Sequence, residues 1–365
     1  MSAANSGLRA ANSGLRAANS GLRAANSGLR PTVLLPEPIE EEALALLGER
    51  GLNVLASPDK RPETVAALMP RADAVVLRTG LRMSAELIER GERLLTISRT
   101  GAGFDNVDLP AATRCGAIVT SSIGANTQTV AEHALALILA LAKQLPLLDR
   151  ETRAGNFQAR YDYRPRDLRG AILGVIGFGR IGRELARVCA TGLGMKVLVF
   201  DPYLEPREQD RSWVSFCALE DLLARADVVS IHVPLTEQTR GLLDRSRLAR
   251  MKKGALIVNT SRGGIIDEQA LAQALDSGQI GGAAIDVFGR EPPEAGNPLL
   301  AAPSAILTPH AAALTRECVV RMAVLAVRRV LDVLDGFLPD NVANPEVLHQ
   351  ERWRNLKSRS GSGPK

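Results

Sequence analysis

The chain has 365 residues, 45% hydrophobic and only 3% aromatic, which suits two globular domains with aliphatic cores. The net charge of +5 belongs to the ends: residues 1–30 hold four Arg and no acid, residues 351–365 hold five basic residues against one Glu, and the body between them is mildly acidic. With its basic charge confined to the ends, the chain gives no argument for a nucleic-acid-binding fold, and no apolar run reaches the roughly 18 to 20 residues of a membrane span.

Residues 3–30 are four perfect copies of Ala-Ala-Asn-Ser-Gly-Leu-Arg. One Leu per heptapeptide cannot build a core, and Asn-Ser-Gly in every copy opposes helix formation. An Arg-rich, acid-free composition is also that of a transit peptide, but identical copies read better as a duplication. Residues 1–30 are expected to be a disordered tail outside the fold. From residue 32, short apolar runs at 32–35, 53–55, 74–77, 95–98 and 117–120 read as strands, with amphipathic stretches such as 39–47 and 83–90 between them. That alternation predicts a parallel, doubly wound sheet. A long apolar helix follows over about 127–145, ending near Pro146. A second alternation has strands at 171–176, 196–200, 228–233, 255–259, 283–287 and 305–307, and helices at 181–190, 219–225, 267–275 and 315–335. The expected organisation is a first domain at 31–126 completed by 338–350, a second at 127–337, and a disordered basic tail at 351–365.

The organising stretch is the start of that second alternation. An apolar strand leads into Gly177-Phe178-Gly179-Arg180-Ile181-Gly182, a G-x-G-x-x-G loop opening a helix. In such a loop the first glycine makes the turn, the second admits a pyrophosphate, and the third packs helix on strand. The helix N-terminus aims its N–H groups at the anion. The next strand delivers Asp201, whose carboxylate accepts from a ribose 2′-hydroxyl and repels a 2′-phosphate, favouring NAD over NADP.

Three further strand ends carry chemistry: Asn259-Thr260-Ser261-Arg262-Gly263-Gly264, then Asp286 through Glu291-Pro292-Pro293, then Thr308-Pro309-His310. Reducing a ketone beside a dinucleotide needs a proton donor, and a histidine titrates in the useful range. A carboxylate on the imidazole fixes its tautomer, and a guanidinium holds a substrate carboxylate and polarises the carbonyl. His310, Glu291 and Arg262 fit these roles, and no metal is required. Taken singly, each of them reads as a surface charge or a cap. Of the other histidines, His133 reads as a core or hinge residue, His232 as part of a cofactor wall, and His349 as near the solvated tail. The four scattered cysteines (Cys115, Cys189, Cys217, Cys318) lack a C-x-x-C pair, which argues for free thiols in a reducing, cytoplasmic compartment.

From Pro31 to about Val347 the chain resembles the D-2-hydroxyacid dehydrogenases, the family of phosphoglycerate, hydroxypyruvate and D-lactate dehydrogenases. The stretches that carry the likeness are 99–108, Val130-Ala131-Glu132-His133, the 177–182 loop, His232-Val233-Pro234-Leu235, 259–268 and Thr308-Pro309-His310. The resemblance implies two Rossmann-like doubly wound domains with an interdomain cleft, usually as a homodimer. It implies substrate anchoring by Arg262, a Glu291–His310 relay, and NAD contacts at Gly177, Gly179, Arg180, Ile181, Gly182, Asp201, His232, Val233, Pro234, Thr260, Ser261, Arg262 and Asp286. The Gly101-Ala102-Gly103 loop resembles the family's carboxylate cradle. Arg78 and Arg99 resemble positions that bind extra negative charge in phosphoglycerate dehydrogenases, or they are rim charges. The short stretch after the last helix leans the expected substrate toward a small 2-hydroxy/2-keto acid of glycerate, hydroxypyruvate or glyoxylate type, with 3-phosphoglycerate second. An NADH-sensing protein like the corepressors that share the fold is the alternative of another class.

Overall fold

All pairings between strands are parallel in the computed structural model, which describes residues 30–204, 210 and 212–358. The heptapeptide repeat up to residue 29 and residues 359–365 lie outside the described residues. The chain forms two units, one of residues up to Asn126 with Arg316 onward, the other of Thr127–Thr315.

The first unit is built on a five-stranded sheet: β1 (Thr32–Leu35), β2 (Asn53–Ala56), β3 (Ala74–Leu77), β4 (Thr96–Arg99) and β5 (Ile118–Ser121), in the order β2-β1-β3-β4-β5. Side chains alternate across a strand, so Val33 and Leu35 serve one core and Leu34 the other. The first face meets the helices Glu41–Glu49 and Arg316–Leu334 through Ala43, Leu47, Ala323, Ala326, Val327 and Val330. The opposite face is covered by Val65, Met69, Leu87, Ile88, Ala111 and Ala112.

Two boundaries differ from expectation. The helix Arg316–Leu334, expected within 127–337, belongs to the first unit, because its apolar stripe packs on β3, β4 and β5 and against the helix Glu41–Glu49. The expected disordered tail is packed through residue 357. Trp353 is 4% exposed among Ile118, Val333 and Val347, its Nε1–H donates to the Gly116 carbonyl at 3.0 Å, and Leu338 N–H donates to the Lys357 carbonyl. The basic residues around Trp353 masked that anchor. The preceding segment closes the edge of β5: Ala343 N–H donates to Val119 O, and the buried Asn344 accepts from Val119 N–H while donating to Ala117 O and Thr113 Oγ1.

The second unit is a seven-stranded sheet of β6 (Ile172–Ile176), β7 (Lys196–Phe200), β8 (Ser215–Phe216), β9 (Val228–Ile231), β10 (Ala255–Asn259), β11 (Ile280–Ile285) and β12 (Ala305–Leu307), ordered β12-β11-β10-β9-β6-β7-β8. Strand order reverses between β6 and β9, the switch point where open α/β sheets bind ligands beyond the carboxyl ends of the strands. One face packs Leu173, Val175, Val197, Val199 and Val258 against the helices Thr127–Ala142 and Arg180–Leu193, and the other packs Ile176, Val229, Ile231, Ile257 and Ile285 against Leu222, Leu248 and Leu271. β11 starts at Ile280, three residues before its expected start, and takes in Gly281, where a Cβ would lie 2.5 Å from the Gly254 carbonyl. The long helix ends at Ala142, short of the expected Pro146, which lies in the first turn of a separate helix, Leu145–Arg153. The short helices Pro62–Leu68, Leu109–Cys115 and Arg245–Arg250 were not anticipated, although Asp108 and Asp244 cap the last two with side-chain bonds to Ala111 N–H and Arg247 N–H. The four cysteines are free, with Cys189 and Cys318 buried and Cys115 and Cys217 partly exposed.

Replacing the anchor of the C-terminal segment tests its packing. Trp353→Ala is expected to destabilise the first unit by about 3–5 kcal/mol, read as a lower denaturant midpoint by chemical unfolding. A wild-type midpoint would mean that residues 351–357 do not contribute to the core.

Candidate active site

In a parallel sheet every strand delivers its C-terminal loop to the same edge, so the ends of β6, β7, β9, β10, β11 and β12 share one rim. At the switch point Gly177 takes φ +90°, and a Cβ there would stand 2.7 Å from the His232 carbonyl and from Val233 Cγ1. His232 N–H donates to Ile176 O at 2.7 Å, so the β6 and β9 exits are laced together. A Cβ on Gly182 would lie 2.1 Å from Gly177 O, which sets the helix Arg180–Leu193 close under the loop. Gly179, by contrast, has open space where its Cβ would be, and it caps the helix N-terminus. Arg180 is exposed and Ile181 partly so. Phe178 turns inward instead, against Trp213, Phe216 and the Arg183 guanidinium.

Asp201 follows β7 and bends back to the loop, accepting from Phe178 N–H at 2.9 Å and Tyr203 N–H at 3.1 Å. Each oxygen accepts one backbone bond there and retains a lone pair. The His232 ring bonds through Nε2 to Ser230 Oγ at 2.8 Å, and burial pushes its pKa down to about 4, so it is neutral at physiological pH. Val233 and Pro234 follow it on the rim, the first partly exposed and the second exposed.

Asn259 shapes the loop after β10. Its Oδ1 accepts from Ser261 N–H and Oγ–H, and its Nδ2 donates to Arg262 O at 2.9 Å. Thr260 Oγ1 is buried with no hydrogen-bond partner, an orphaned group of the kind a ligand satisfies. Gly263 presses on the next loop: a Cβ would lie 1.9 Å from Phe288 O. Arg262 is partly exposed, with Nη1 donating to Ser261 O at 2.7 Å.

Glu291 and His310 meet at this rim. Glu291 Oε2 is 2.7 Å from His310 Nδ1, and Oε1 accepts from Phe288 N–H at 3.1 Å. Burial raises the Glu291 pKa, but the bond and charge of His310, the Phe288 N–H and the Arg262 charge together outweigh it, and the net shift is downward. The carboxylate is thus ionised and aimed at Nδ1, which leaves Nε2 of His310 as the ring's exchangeable position. His310 itself has φ +52°, a left-handed conformation rare for a side chain of its size.

Asp286 is placed differently from expectation. It is fully buried, and its carboxylate accepts from Thr308 Oγ–H, Ala311 N–H and Ala312 N–H, so its bonds run to the loop that carries His310. His133, read from sequence as a core or hinge residue, brings Nε2 to 3.5 Å from Thr308 Oγ1 and 3.8 Å from Asp286 Oδ1. No sequence spacing announces that neighbour, since 175 residues separate His133 from Thr308.

The remaining site candidates belong to the first unit. Arg78, after β3, donates to Glu40 Oε1 at 2.9 Å and Pro38 O at 3.1 Å, in an ion pair that sequence did not foresee. Gly101 opens the Gly101-Ala102-Gly103 loop after β4 with φ +147°, and a Cβ there would fall 1.9 Å from Arg99 Nη1. The absent side chain lets the Arg99 guanidinium fold over the loop.

Residues 135–312 match the family model described as D-isomer specific 2-hydroxyacid dehydrogenase, NAD binding domain. A D-3-phosphoglycerate dehydrogenase of Archaeoglobus fulgidus is 38% identical over 312 residues, covering 86% of this chain and 59% of that protein. The chain spans 52–63% of the length of such curated relatives. The crystal structure of the TT0316 protein from Thermus thermophilus superposes with a TM-score of 0.78 at 36% identity, covering 86% of this chain and 99% of that one. A D-lactate dehydrogenase from Aquifex aeolicus, complexed with NAD and lactic acid, gives 0.74 at 28% identity over 84% of this chain and 96% of that one. The glycine loop at the switch point, the acid after β7 and the order of the strands agree with these likenesses, and the chain belongs to the D-isomer specific 2-hydroxyacid dehydrogenase family.

Proposed function

We propose that this chain is an NAD-dependent dehydrogenase that moves a hydride between NAD(H) and a small D-2-hydroxy acid/2-keto acid pair. The observation that carries the reading is the 2.7 Å Glu291–His310 bond on the same strand edge as the glycine loop, with the Arg262 charge acting on Glu291. The residues present fit a dinucleotide: Gly179 leaves room for phosphate at a helix N-terminus, Asp201 offers acceptors to a ribose, and Thr260 offers an unsatisfied hydroxyl. NAD(H), when bound, takes or gives the hydride.

The chain's own residues handle the proton and the anion. In the reducing direction the Nε2–H of protonated His310 passes to the substrate oxygen as it gains negative charge, while Glu291 keeps Nδ1–H fixed and stabilises the imidazolium. In the oxidising direction neutral Nε2 takes that proton back. Arg262 pairs with the substrate carboxylate and polarises the carbonyl. Arg78 and the Gly101-Ala102-Gly103 loop, at the carboxyl edge of the first sheet, are the proposed further contacts for the acid.

D-3-phosphoglycerate is favoured as substrate by the names of the relatives at 37–38% identity. A small unphosphorylated acid of glycerate, hydroxypyruvate or glyoxylate type is the second reading, favoured by the Glu40 carboxylate that neutralises Arg78. A homodimer is supported by the helix Leu145–Arg153, which has no buried residue, and by the neighbouring Phe157 and Tyr161, 66% and 63% exposed. A cytoplasmic location accords with the free cysteines.

Steady-state assays with 3-phosphoglycerate and NAD, and with hydroxypyruvate and glyoxylate and NADH, are expected to give turnover with at least one acid. Silence across the panel in a protein that binds NADH would sink the dehydrogenase reading and favour a nucleotide-sensing role. His310→Ala is expected to lower kcat by roughly 10²–10⁴-fold while the Kd for NADH stays near wild type; an equal loss of both would remove the proton-transfer role. From Asp201, kcat/KM with NADH should exceed that with NADPH by at least about tenfold, and Asp201→Ala should narrow the gap. Equal efficiency with the two cofactors in the wild type would contradict the assignment.

A further inference from the structure

The loop that carries His310 is wound around a single buried carboxylate. Thr308 N–H donates to Ile285 O, and two residues later His310 N–H donates to Asp286 O at 2.8 Å. Between these two backbone bonds, Thr308 Oγ–H reaches Asp286 Oδ1 at 2.5 Å. The same oxygen accepts Ala311 N–H at 2.8 Å, and Oδ2 accepts Ala312 N–H at 3.0 Å. Asp286 is fully buried, so it has no water to replace a lost donor. His133 Nε2 faces the pair from the helix Thr127–Ala142, 3.5 Å from the threonine hydroxyl.

These contacts hold residue 310 at φ +52°, and that backbone setting is what aims the imidazole at Glu291. A β-carbon disfavours the left-handed region, so residue 310 keeps it only while the surrounding bonds enforce it. Of the donors on Asp286, the Thr308 hydroxyl is the side-chain one within the loop, and the others are main-chain groups that follow His310. We propose that Thr308 is a positioning residue for His310: its hydroxyl ties the start of the loop to the Asp286 carboxylate and thereby holds the imidazole on Glu291. This rests on the dehydrogenase reading for its kinetic consequence, though not for its geometric one. It also gives Asp286 a part in the scaffold beneath the proton donor, beside the cofactor contact that the family likeness implies.

The test compares Thr308→Val, which keeps the shape and removes the hydroxyl, with Thr308→Ser, which restores it. Thr308→Val is expected to lower kcat roughly 10- to 100-fold, with KM for the acid and Kd for NADH within about twofold of wild type, and Thr308→Ser to recover most of kcat. A second readout needs no activity. The chain has four histidines, and in ¹⁵N-histidine-labelled protein the Nδ1–H held by Glu291 should give a far-downfield proton resonance. It is assigned by its loss in His310→Gln, is expected to vanish or shift in Thr308→Val, and is expected to return in Thr308→Ser. Wild-type kcat and resonance in Thr308→Val would overturn the proposal. So would a weakening of NADH binding as large as the loss of kcat, which would return Asp286 and Thr308 to the cofactor site. If the wild-type protein turns over no acid, the dehydrogenase reading fails on its own, and the resonance still decides whether Thr308 positions His310.

Discussion

Parallel pairing constrains everything else in this molecule. When strands run the same way, each must be followed by a crossover that starts from one edge, so loops separated by more than a hundred residues of chain arrive on a common rim. In the Thr127–Thr315 unit that rim receives Gly177, Asp201, His232, Arg262, Glu291 and His310 from six different strands. None of these side chains needs a neighbour in sequence to find a neighbour in space. The reversal of strand order between β6 and β9 then opens the crevice in which the glycine loop lies.

The rim is stiffened by main-chain contacts too close for side chains to intervene. Gly177 against the His232 carbonyl and Gly263 against the Phe288 carbonyl lock neighbouring loops together at positions where a methyl group would collide. Glu268 adds a further tie, accepting from Gly289 N–H at 2.6 Å and from the Asn297 amide. The Glu291 segment is therefore held by the segment that carries Arg262, and the carboxylate reaches His310 from a fixed base. Its electrostatics follow: burial works against the charge, and the donors and cations gathered at the rim restore it. A carboxylate so placed can hold an imidazolium without taking its proton.

The first unit solves a different problem. Its sheet ends at β5, and an open parallel edge would present unpaired N–H and C=O groups. The segment from Asn341 to Asn344 covers part of that edge, with Asn341 and Asn344 using side-chain amides where regular pairing does not continue. Trp353 then pins the end of the chain to Gly116. Stability of the unit thus draws on residues more than two hundred positions away from the sheet they close.

Much of this was legible in the sequence. Hydrophobic runs of three to five residues and glycine-rich turns are local signals, and they located β1, β3, β7, β10 and β12 to the residue. The 177–182 spacing, the acid at 201 and the trio at 262, 291 and 310 were visible because strand-end chemistry is written in short contiguous motifs. The partners of those residues were not. That Asp286 turns inward to Thr308 and the N–H groups of Ala311 and Ala312, that His133 faces the same pair, and that Arg78 is claimed by Glu40 all depend on which strands lie side by side. The allotment of the helix Arg316–Leu334 and of Trp353 to the first unit depends on it as well. Periodicity records which face of an element is apolar. It does not record which distant element covers that face, and that choice belongs to the packing of the whole sheet.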